Sequence, residues 1–482
     1  MFLRECAAQL APSLCRLFKY IVRKAAFPSS WKIGRITPLH KRGPVKFPGN
    51  YRPVTVLNGL STCFEAVVND QLYAWASAHV PESQFGFLRG CGTSDYGAAV
   101  AFPLIKTLEH RGEGILISLD VAGAFDRCWW SRIKSRLRAR GMRGKALALF
   151  KDYLRGRFIQ VVAGGQSSST REIFSGVPQG ALWSPILWDL DISELPSAVR
   201  FGELLCYADD LSLWYEITDD NRDVILDRIN ADLASLLVWG ADNRTTFEPA
   251  KTYSMLVSLK RSARFGGLDE LRMGDMVIKQ VSQMKLVGFI FDSKMTWGPM
   301  VDMLAKKARC KLGAIRRLRP YLDSRNLKLM YTAFVRSGME YGSVLYMGAA
   351  ESHLLKLDKI QWSAQALGGF VIDDLKSRRD AACLKLACKL LAGHGRGSLR
   401  DYAPSLVEVQ ARSRHQVGGL QITMPIAPSK YPLECFRRSF LYRMPEIWAA
   451  VPQPLVLKCE SESDSWCKLP GKLKRAIHSS VL

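Results

Sequence analysis

The chain has 482 residues, of which 48% are hydrophobic, and its 68 lysines and arginines outnumber 44 aspartates and glutamates to give a formal net charge of +24. This apolar content excludes a wholly disordered chain, and the length predicts roughly two to four domains. A positive excess of this size is typical of a protein that binds a polyanion, although it would also suit adhesion to an anionic membrane surface.

The first twenty residues predict an amphipathic helix, because apolar residues recur at helical spacing among charged ones that a signal peptide would not carry. No stretch approaches the roughly 20 uninterrupted apolar residues that a membrane span needs, so we expect a soluble protein that does not enter a membrane. The twelve cysteines are scattered singly from Cys6 to Cys467 and never complete a metal-binding spacing. This pattern favours a reducing compartment, nuclear or cytoplasmic, over secretion.

Two predicted strands flank a basic, glycine- and proline-rich turn near the N-terminus. The strands are Lys32–His40 and Tyr51–Leu57, and the turn is Lys41–Asn50. Pro53 predicts that the second strand lies at an edge or a bend. The turn could hold a phosphate, but taken alone a solvated hairpin accounts for it better. The glycine-rich loop Gln84–Thr93 lacks the spacing of a dinucleotide or P-loop motif.

The next apolar strand, Gly114–Asp120, ends in an acid and is followed by a helix. Asp120 could cap that helix, or it could bind a metal at the carboxyl end of its strand. Further along, Phe158–Val162 and Glu172–Ser175 predict a hairpin around two glycines. The turn-rich segment Gly176–Pro185 then leads into an apolar helix.

The segment Leu204–Tyr215, LLCYADDLSLWY, predicts two apolar strands joined by a polar break. The break contains Asp209 and Asp210, and an aspartate pair is typical of an ordinary turn. This bend, however, contains no Gly, Asn or Pro to favour the turn. The hairpin is therefore expected to be retained for the charge of its two carboxylates. Asp223–Trp239 follows as a clear amphipathic helix.

This order of strands and helices predicts an α+β fold, an antiparallel sheet backed by helices and related to the split βαβ plan. In that plan the strand ending in Asp120 can lie beside the hairpin that carries Asp209 and Asp210. Three converging carboxylates repel each other unless a cation neutralises them, and oxygen ligands select Mg²⁺ or Mn²⁺. Two such ions about 4 Å apart form the clamp for in-line displacement at phosphorus.

Seven motifs, in order, resemble those of the reverse transcriptase of a non-LTR (LINE-type) retrotransposon. They are the fingers segment KR-G…N-YRPVTVL, then QFGF-RG-TSD, SLDVAGAFDR (motif A), GVPQGALWSPILW (motif B), CYADD (motif C), FEPAKT (motif D) and KLVGFIFDSKMTW (motif E). AKKARCKLGAIRRLRPYL and FVRSGMEYGSVLY resemble the thumb, and RRSFLYRMPEIWAAVP resembles the final segment of several such elements. The resemblance implies a right-hand polymerase architecture. Its predicted parts are a lead helix at 1–20, fingers and palm at 21–292, a helical thumb at 293–380 and a mostly helical basic region at 381–482.

The resemblance also implies a metal site and a proton donor. Asp120, Asp209 and Asp210 would hold two Mg²⁺ ions (Mn²⁺ is the alternative), with Asp209 favoured over Asp210 as the direct ligand of the catalytic metal. Lys251 matches the motif D lysine that protonates the pyrophosphate leaving group. Asp126 is not a ligand in the family, which leaves it a capping or structural role.

Six further positions match substrate-binding positions of the family. They are the triphosphate-binding cations Lys41 and Arg52, the steric gate Phe125, the nucleotide and template contact Gln179, and the primer-grip residues Leu286 and Gly288. An aromatic gate excludes a ribose 2′-OH and so favours dNTPs, although an ordinary core aromatic would also account for Phe125. An Arg fork suits phosphate bidentately.

The predicted thumb carries a one-sided charge that suits a nucleic-acid backbone. Its basic residues are Lys306, Lys307, Arg309, Lys311, Arg316, Arg317, Arg319, Arg325, Lys328 and Arg336. Only Asp302 and Asp323 oppose them. Such a face would track a template–primer duplex without reading its sequence; a solvated helix face is the alternative, which the single sign argues against.

The motifs depart from the family at two places: Trp183 and Ser184 replace smaller residues in motif B, and Phe87-Leu88-Arg89 stands where a basic residue and Pro are common. We also expect no endonuclease domain before Met1 and no RNase H constellation after Trp297. The implied activity is extension of a DNA primer with dNTPs on an RNA template. The alternatives are a decayed or domesticated nucleic-acid-binding remnant and a protein similar to a group II intron maturase, which would carry further domains that the sequence lacks.

Overall fold

The structure is a computed structural model that describes residues 2–260, 268–409, 419–426 and 433–450. Its strands, in chain order, are β1 Ile33–His40, β2 Tyr51–Val56, β3 Glu113–Asp120, β4 Arg157–Ala163, β5 Gln166–Ser167, β6 Arg171–Ile173, β7 Glu203–Tyr207, β8 Asp210–Ile217, β9 Tyr253–Val257, β10 Arg272–Met273, β11 Met276–Val277, β12 Lys279–Gln280, β13 Gln283–Leu286, β14 Phe289–Asp292, β15 Ser405–Val409 and β16 Gly419–Thr423.

The α-helices, in chain order, are α1 Phe2–Glu5, α2 Ala7–Lys24, α3 Gly59–Ser77, α4 Thr93–Glu109, α5 Ala124–Arg127, α6 Trp130–Ala139, α7 Gly144–Leu154, α8 Ser184–Asp191, α9 Ile225–Asn243, α10 Gly298–Leu318, α11 Ser324–Met330, α12 Ser337–Met339, α13 Ser343–Tyr346, α14 Glu351–Gly368, α15 Leu375–Leu391, α16 Glu434–Arg437 and α17 Phe440–Ala449. A π-helical segment, Tyr331–Arg336, joins α11 to α12. The predicted α+β class is confirmed. No helix of the described residues is long and apolar enough to cross a membrane.

One compact unit comprises Met1–Phe87, Asp120–Arg200 and Asp232–Glu248. Its sheet has the order β2-β1-β4-β5, with β6 also paired to β4. Strand β2 is an edge strand, as Pro53 predicts, because a proline lacks the N–H that a second neighbour would need. The helical face of this unit is filled by an aromatic cluster around Trp183, whose side chain is fully buried.

The second unit comprises Leu88–Leu119, Phe201–Ala231 and Pro249–Leu482. Its main sheet has the order β12-β9-β3-β8-β7, so β3 is the central strand. The strand is apolar on both faces because both are covered, and Ile115, Leu116 and Ile117 are all fully buried. The prediction that the strand ending in Asp120 lies beside the YADD hairpin is therefore confirmed.

Several predicted boundaries shift in the structure. The lead helix continues to Lys24, beyond the predicted end at residue 20, where Ala25 closes it in a left-handed conformation. The predicted thumb range is helical, from α10 into α15. The C-terminal region, predicted to be mostly helical, also contains the β15–β16 hairpin; its residues 410–418, 427–432 and 451–482 lie outside the described residues. The four domain limits stay a prediction.

Candidate active site

The turn between β7 and β8 carries two of the predicted metal ligands. Tyr207 pairs with Asp210 across the hairpin, so the turn consists of Ala208 and Asp209 alone. Ala208 has a φ of 57°, a left-handed conformation that is unfavourable for a residue with a Cβ. Backbone strain of this kind persists where the surrounding structure enforces it, and it concentrates at functional sites.

Three strand ends meet at one edge of the main sheet. Ser118 of β3 pairs with Tyr253 in the antiparallel strand β9, so the end of β3 lies beside the start of β9, which Lys251 precedes. A Cβ on Gly114 would lie 2.8 Å from the carbonyl oxygen of Tyr215, which places the start of β3 beside the end of β8. The neighbouring strands β3 and β8 therefore also run in opposite directions. The end of β3 thus shares an edge with the start of β8.

This edge is acidic and open to solvent. Asp209 and Asp210 are exposed, and Asp120, the last residue of β3, is half-buried. A donor set made only of carboxylate oxygens suits Mg²⁺ or Mn²⁺ rather than a metal that prefers nitrogen or sulfur. Among the described residues, however, no three His, Cys, Asp or Glu side chains are already grouped as metal ligands. The residue types therefore fit the metals.

Gln179 is held by two contacts within the first unit. Its Nε2 donates to Asp126 Oδ1 at 2.9 Å, and its carbonyl oxygen accepts from the backbone N–H of Thr55 at 2.8 Å. The following Gly180 has a φ of 136°, and a Cβ there would lie 2.6 Å from the carbonyl oxygen of Thr55. Only glycine permits this close crossing of the loop over β2.

Asp126 is therefore a functional candidate that the motif comparison passed over. Burial raises the pKa of its carboxyl group, while the hydrogen bond from Gln179 and the charge of Lys41 oppose that rise. The carboxylate thus connects two residues that the sequence assigns to nucleotide binding. Its position after Phe125 in AFD gave no signal of this, because the contact joins distant parts of the chain.

Phe125 is packed between two aromatic rings. Trp188 stacks on it, with ring centroids 6.0 Å apart and planes at 23°, and Phe87 meets it edge to face at 5.7 Å. Trp188 is buried, whereas Phe87 is 41% exposed and has a left-handed φ of 60°. In the sequence, Phe87 stands out only as part of the segment Phe87-Leu88-Arg89 that departs from the family motif. The contact gives that position a role in orienting the Phe125 ring.

Lys41 and Arg52 lie at the open end of the β1–β2 hairpin. Both are exposed, and the backbone N–H of Lys41 donates to the carbonyl oxygen of Asn50 at 2.8 Å to close the loop. Because strands β1 and β2 are paired up to this loop, Lys41 and Arg52 are held at the same end of the hairpin. The arrangement suits a phosphate but also suits a solvated loop.

The departure at Trp183 has a structural reason. Its ring lies 4.9 Å from those of Phe150 and Tyr153, and its Nε1 donates to the carbonyl oxygen of Glu65 at 3.0 Å. The Glu65 carboxylate in turn accepts from the backbone N–H of Leu182 at 2.8 Å. The large residue thus anchors the segment after Gln179 to helix α3.

The predicted primer grip is the tight turn between β13 and β14. Leu286 pairs with Phe289, so Val287 and Gly288 form a two-residue turn. Both have positive φ, 47° and 91°. Leu286 is 2% exposed, so its side chain belongs to the core, and the accessible part of the motif is the turn itself.

The predicted basic face is largely present on α10 and the segment after it. The exposed basic residues on it without an acidic partner among the described residues are Lys306, Lys307, Arg309, Arg316, Arg317 and Arg325. Lys311, Arg319 and Lys328 donate to backbone carbonyls. Arg336 does not belong to the face: its side chain is 17% exposed and pairs with Glu340.

Comparison with known proteins adds the family context. Residues 39–291, just over half of the chain, match the family model "Reverse transcriptase (RNA-dependent DNA polymerase)". The chain is 25% identical over 361 residues to the "Probable RNA-directed DNA polymerase from transposon BS" of Drosophila melanogaster, covering 72% of this chain and 39% of that protein. It is 28% identical over 355 residues to the "Putative 115 kDa protein in type-1 retrotransposable element R1DM" of the same organism, covering 70% of this chain and 32% of that protein.

A third relative, the "RNA-directed DNA polymerase from mobile element jockey" of Drosophila melanogaster, is 23% identical over 371 residues, which cover 72% of this chain and 39% of that protein. The chain thus spans about two fifths of the length of the curated relatives it matches. Among solved structures, apo telomerase from Candida tropicalis truncated from its C-terminal domain aligns with a TM-score of 0.38 and 14% identity, covering 57% of each chain.

Proposed function

The chain belongs to the reverse transcriptase (RNA-dependent DNA polymerase) family, and we propose that it extends a primer 3′-OH with dNTPs on an RNA template. Its partners would be an RNA template, a DNA primer and the incoming nucleotide. The scattered single cysteines suit the nucleus or cytoplasm as its place of action.

The metal site would be formed by Asp120, Asp209 and Asp210. The meeting of the ends of β3 and β8 at one edge of the main sheet supports this assignment, as does the exclusively oxygen donor set. Bound there, Mg²⁺ or Mn²⁺ would lower the pKa of the primer hydroxyl and neutralise charge on the phosphates. Asp209 and Asp210 are exposed, so they can turn toward a cation without unfolding the sheet.

The remaining residues would bind, orient and select. Lys41 and Arg52 would hold the triphosphate by charge and hydrogen bonds. Lys251, which precedes β9 at the same sheet edge, would donate a proton to the leaving pyrophosphate. Since phosphoryl transfer depends mainly on positioning and charge neutralisation, these groups would act by holding the reacting atoms in line and neutralising charge.

A second set of residues would control which nucleotide is accepted. Gln179, fixed by Asp126 and Thr55, would contact the nucleotide and template. The Phe125 ring, held between Phe87 and Trp188, would exclude a ribose 2′-OH. The turn at Gly288 would support the primer end.

The observation that carries this proposal is that β3, the hairpin with Asp209 and Asp210, and β9, which Lys251 precedes, are neighbours in one sheet. The test is extension of oligo(dT) on poly(rA) with dTTP and Mg²⁺ by wild type, Asp209→Asn and the matched control Asp219→Asn, an exposed aspartate beyond the end of β8. We expect extension by wild type and control and at least a 100-fold loss in Asp209→Asn, as for removal of a charge-stabilising group. Extension that survives Asp209→Asn would exclude the assigned site.

A non-catalytic nucleic-acid-binding role is the second candidate. It is favoured by the basic face of α10 together with the absence, among described residues, of preassembled metal ligands. Under this alternative the wild type would bind poly(rA) in a salt-dependent manner and extend nothing. The same assay, accompanied by RNA binding at two salt concentrations, separates the two candidates.

A further inference from the structure

The turn that follows Leu286 has a strained backbone, so neighbouring residues must stabilise its conformation. Val287 has a φ of 47°, and a β-branched residue in this region is a genuine outlier. Such a conformation is energetically unfavourable and persists only when its surroundings enforce it. The neighbours of this turn are therefore informative.

Tyr341 clamps the turn from outside the hairpin. Its hydroxyl donates to the carbonyl oxygen of Val287 at 2.6 Å. Its ring stacks on Phe289, with centroids 4.8 Å apart and planes at 14°. One side chain thus contacts the residues on both sides of Gly288.

Phe289 in turn sits in a slot that depends on glycine. Its ring is fully buried. A Cβ on Gly97 would lie 2.9 Å from this ring, and a Cβ on Gly342 would lie 2.3 Å from it. Gly97 is inside helix α4, where glycine is less favourable than alanine. A side chain at this position of the helix would collide with the Phe289 ring.

The residue next to Gly97 contacts the other hairpin. The Tyr96 hydroxyl donates to Ser212 Oγ at 2.9 Å, two residues after Asp210, and its ring lies 5.8 Å from that of Tyr207. Burial raises the pKa of Tyr96, so its hydroxyl stays protonated and remains a donor. Two adjacent residues of α4 therefore lie against the two hairpins: Tyr96 contacts β7–β8, and Gly97 packs against Phe289 of β13–β14.

We propose that Tyr341 is a positioning residue for polymerisation: with Phe289 and helix α4 it fixes the Val287–Gly288 turn relative to the Asp209–Asp210 hairpin, and so aligns the primer 3′-OH with the metal-binding carboxylates. This inference rests on the proposed function, because it assigns the turn to the primer. A displacement of about 1 Å between reacting groups can cost up to about 100-fold in rate, so a clamp on this turn would be felt in kcat.

The test uses Tyr341→Phe, which removes the hydroxyl and keeps the stacked ring. Tyr20→Phe, on an exposed face of α2, is the matched control. In single-nucleotide extension we expect Tyr341→Phe to lower kcat about tenfold with the KM for dTTP within about twofold, because the primer end is misplaced while nucleotide contacts are kept. The thermal midpoint and the Tyr20→Phe rate should stay at the wild-type values.

A second test repeats Tyr341→Phe in a Val287→Gly variant, since glycine adopts this turn conformation without strain. In the Val287→Gly variant we expect loss of the Tyr341 hydroxyl to change kcat by less than about twofold. The turn is then unstrained, so it no longer needs the hydrogen bond from Tyr341 to keep its conformation. An equal loss in both backgrounds, or no loss in Tyr341→Phe alone, would overturn the proposal. Gly97→Ala should lower kcat as Tyr341→Phe does, although it improves helix propensity.

Hydrogen exchange over residues 283–292 separates this inference from the proposed function. Faster exchange in Tyr341→Phe than in Tyr20→Phe supports the clamp whether or not the protein polymerises. Unchanged exchange overturns it. A wild type that extends no primer overturns the polymerase assignment, and with it the link from clamp to catalysis.

Discussion

The side-chain amide of Gln179 donates a 2.9 Å hydrogen bond to the carboxylate of Asp126. Glutamine has several rotamers, so an unanchored side chain at this position would lose entropy whenever a substrate ordered it. The contact removes that cost in advance. It also fixes the orientation of the amide: Nε2 donates to Asp126, so Oε1 is the atom that would accept from the proposed nucleotide.

Substitution of Asp126 should therefore weaken nucleotide binding. We expect Asp126→Ala to raise the KM for dTTP by about tenfold, as for loss of a hydrogen bond to a charged group, with a smaller change in kcat. Asp126→Asn keeps an acceptor oxygen and should recover most of the loss. Steady-state extension at varied dTTP measures both, and equal KM values for the two variants would contradict a role in positioning Gln179.

Removal of the Phe125 ring should relax sugar selection. We expect Phe125→Ala to raise incorporation of UTP relative to dTTP by on the order of 100-fold, because a steric pocket discriminates by one to two orders of magnitude. Phe87→Ala leaves the gate in place but loosens its packing, so an intermediate change of about tenfold is expected.

The measurement is the ratio of kcat/KM for the two nucleotides on the same primer. Phe174→Ala, at a ring that is 75% exposed, is the control for a lost aromatic. If Phe87→Ala matches this control while Phe125→Ala does not, Phe87 has no part in the gate.

Glu113 at the start of β3 should make stability depend on pH. Burial opposes its ionisation, but hydrogen bonds from Arg222, Lys260 and Ser258 outweigh burial and lower its pKa to about 2. The folded pKa lies below the unfolded value of 4.5, so the stabilisation is complete above pH 4.5 and is lost as the pH falls through 2.

We expect Glu113→Gln to lower the free energy of unfolding at pH 7 by on the order of 2 kcal/mol, a value reduced for the solvent exposure of Arg222 and Lys260. The difference from wild type should shrink steadily below pH 4.5. Urea unfolding at pH 7 and pH 3 measures it. A difference that is the same at both pH values would place the effect in packing rather than charge.

Local patterns in the sequence were sufficient for much of the fold. Pro53 predicted an edge strand, and β2 lies at the edge. The apolar run before Asp120 predicted a buried strand, and β3 is central. The ordered motifs identified the family, which the family match confirms. These features depend on neighbours in sequence or on patterns that recur in fixed order.

Contacts between segments that are distant in sequence could not be predicted from the sequence. Nothing near Asp126 points to Gln179, and nothing near Tyr341 points to Val287. The strained φ values of Phe87, Ala208 and Val287 belong to residue types that give no local signal for a left-handed backbone. Arg336 was assigned to the basic face by charge alone, and the structure instead pairs it with Glu340. The metal, nucleotide and primer assignments remain predictions.

The central position of β3 has a consequence for how the chain is made. Its two neighbours in the sheet begin at Asp210 and Tyr253, so a ribosome releases Asp120 long before either partner strand exists. Pairing between such distant segments is slow and leaves apolar surface uncovered meanwhile. A chain that stops before Tyr253 lacks β9, so one side of β3 stays unpaired and its apolar surface stays uncovered. Truncation of the chain before β9 should thus yield no stably folded product.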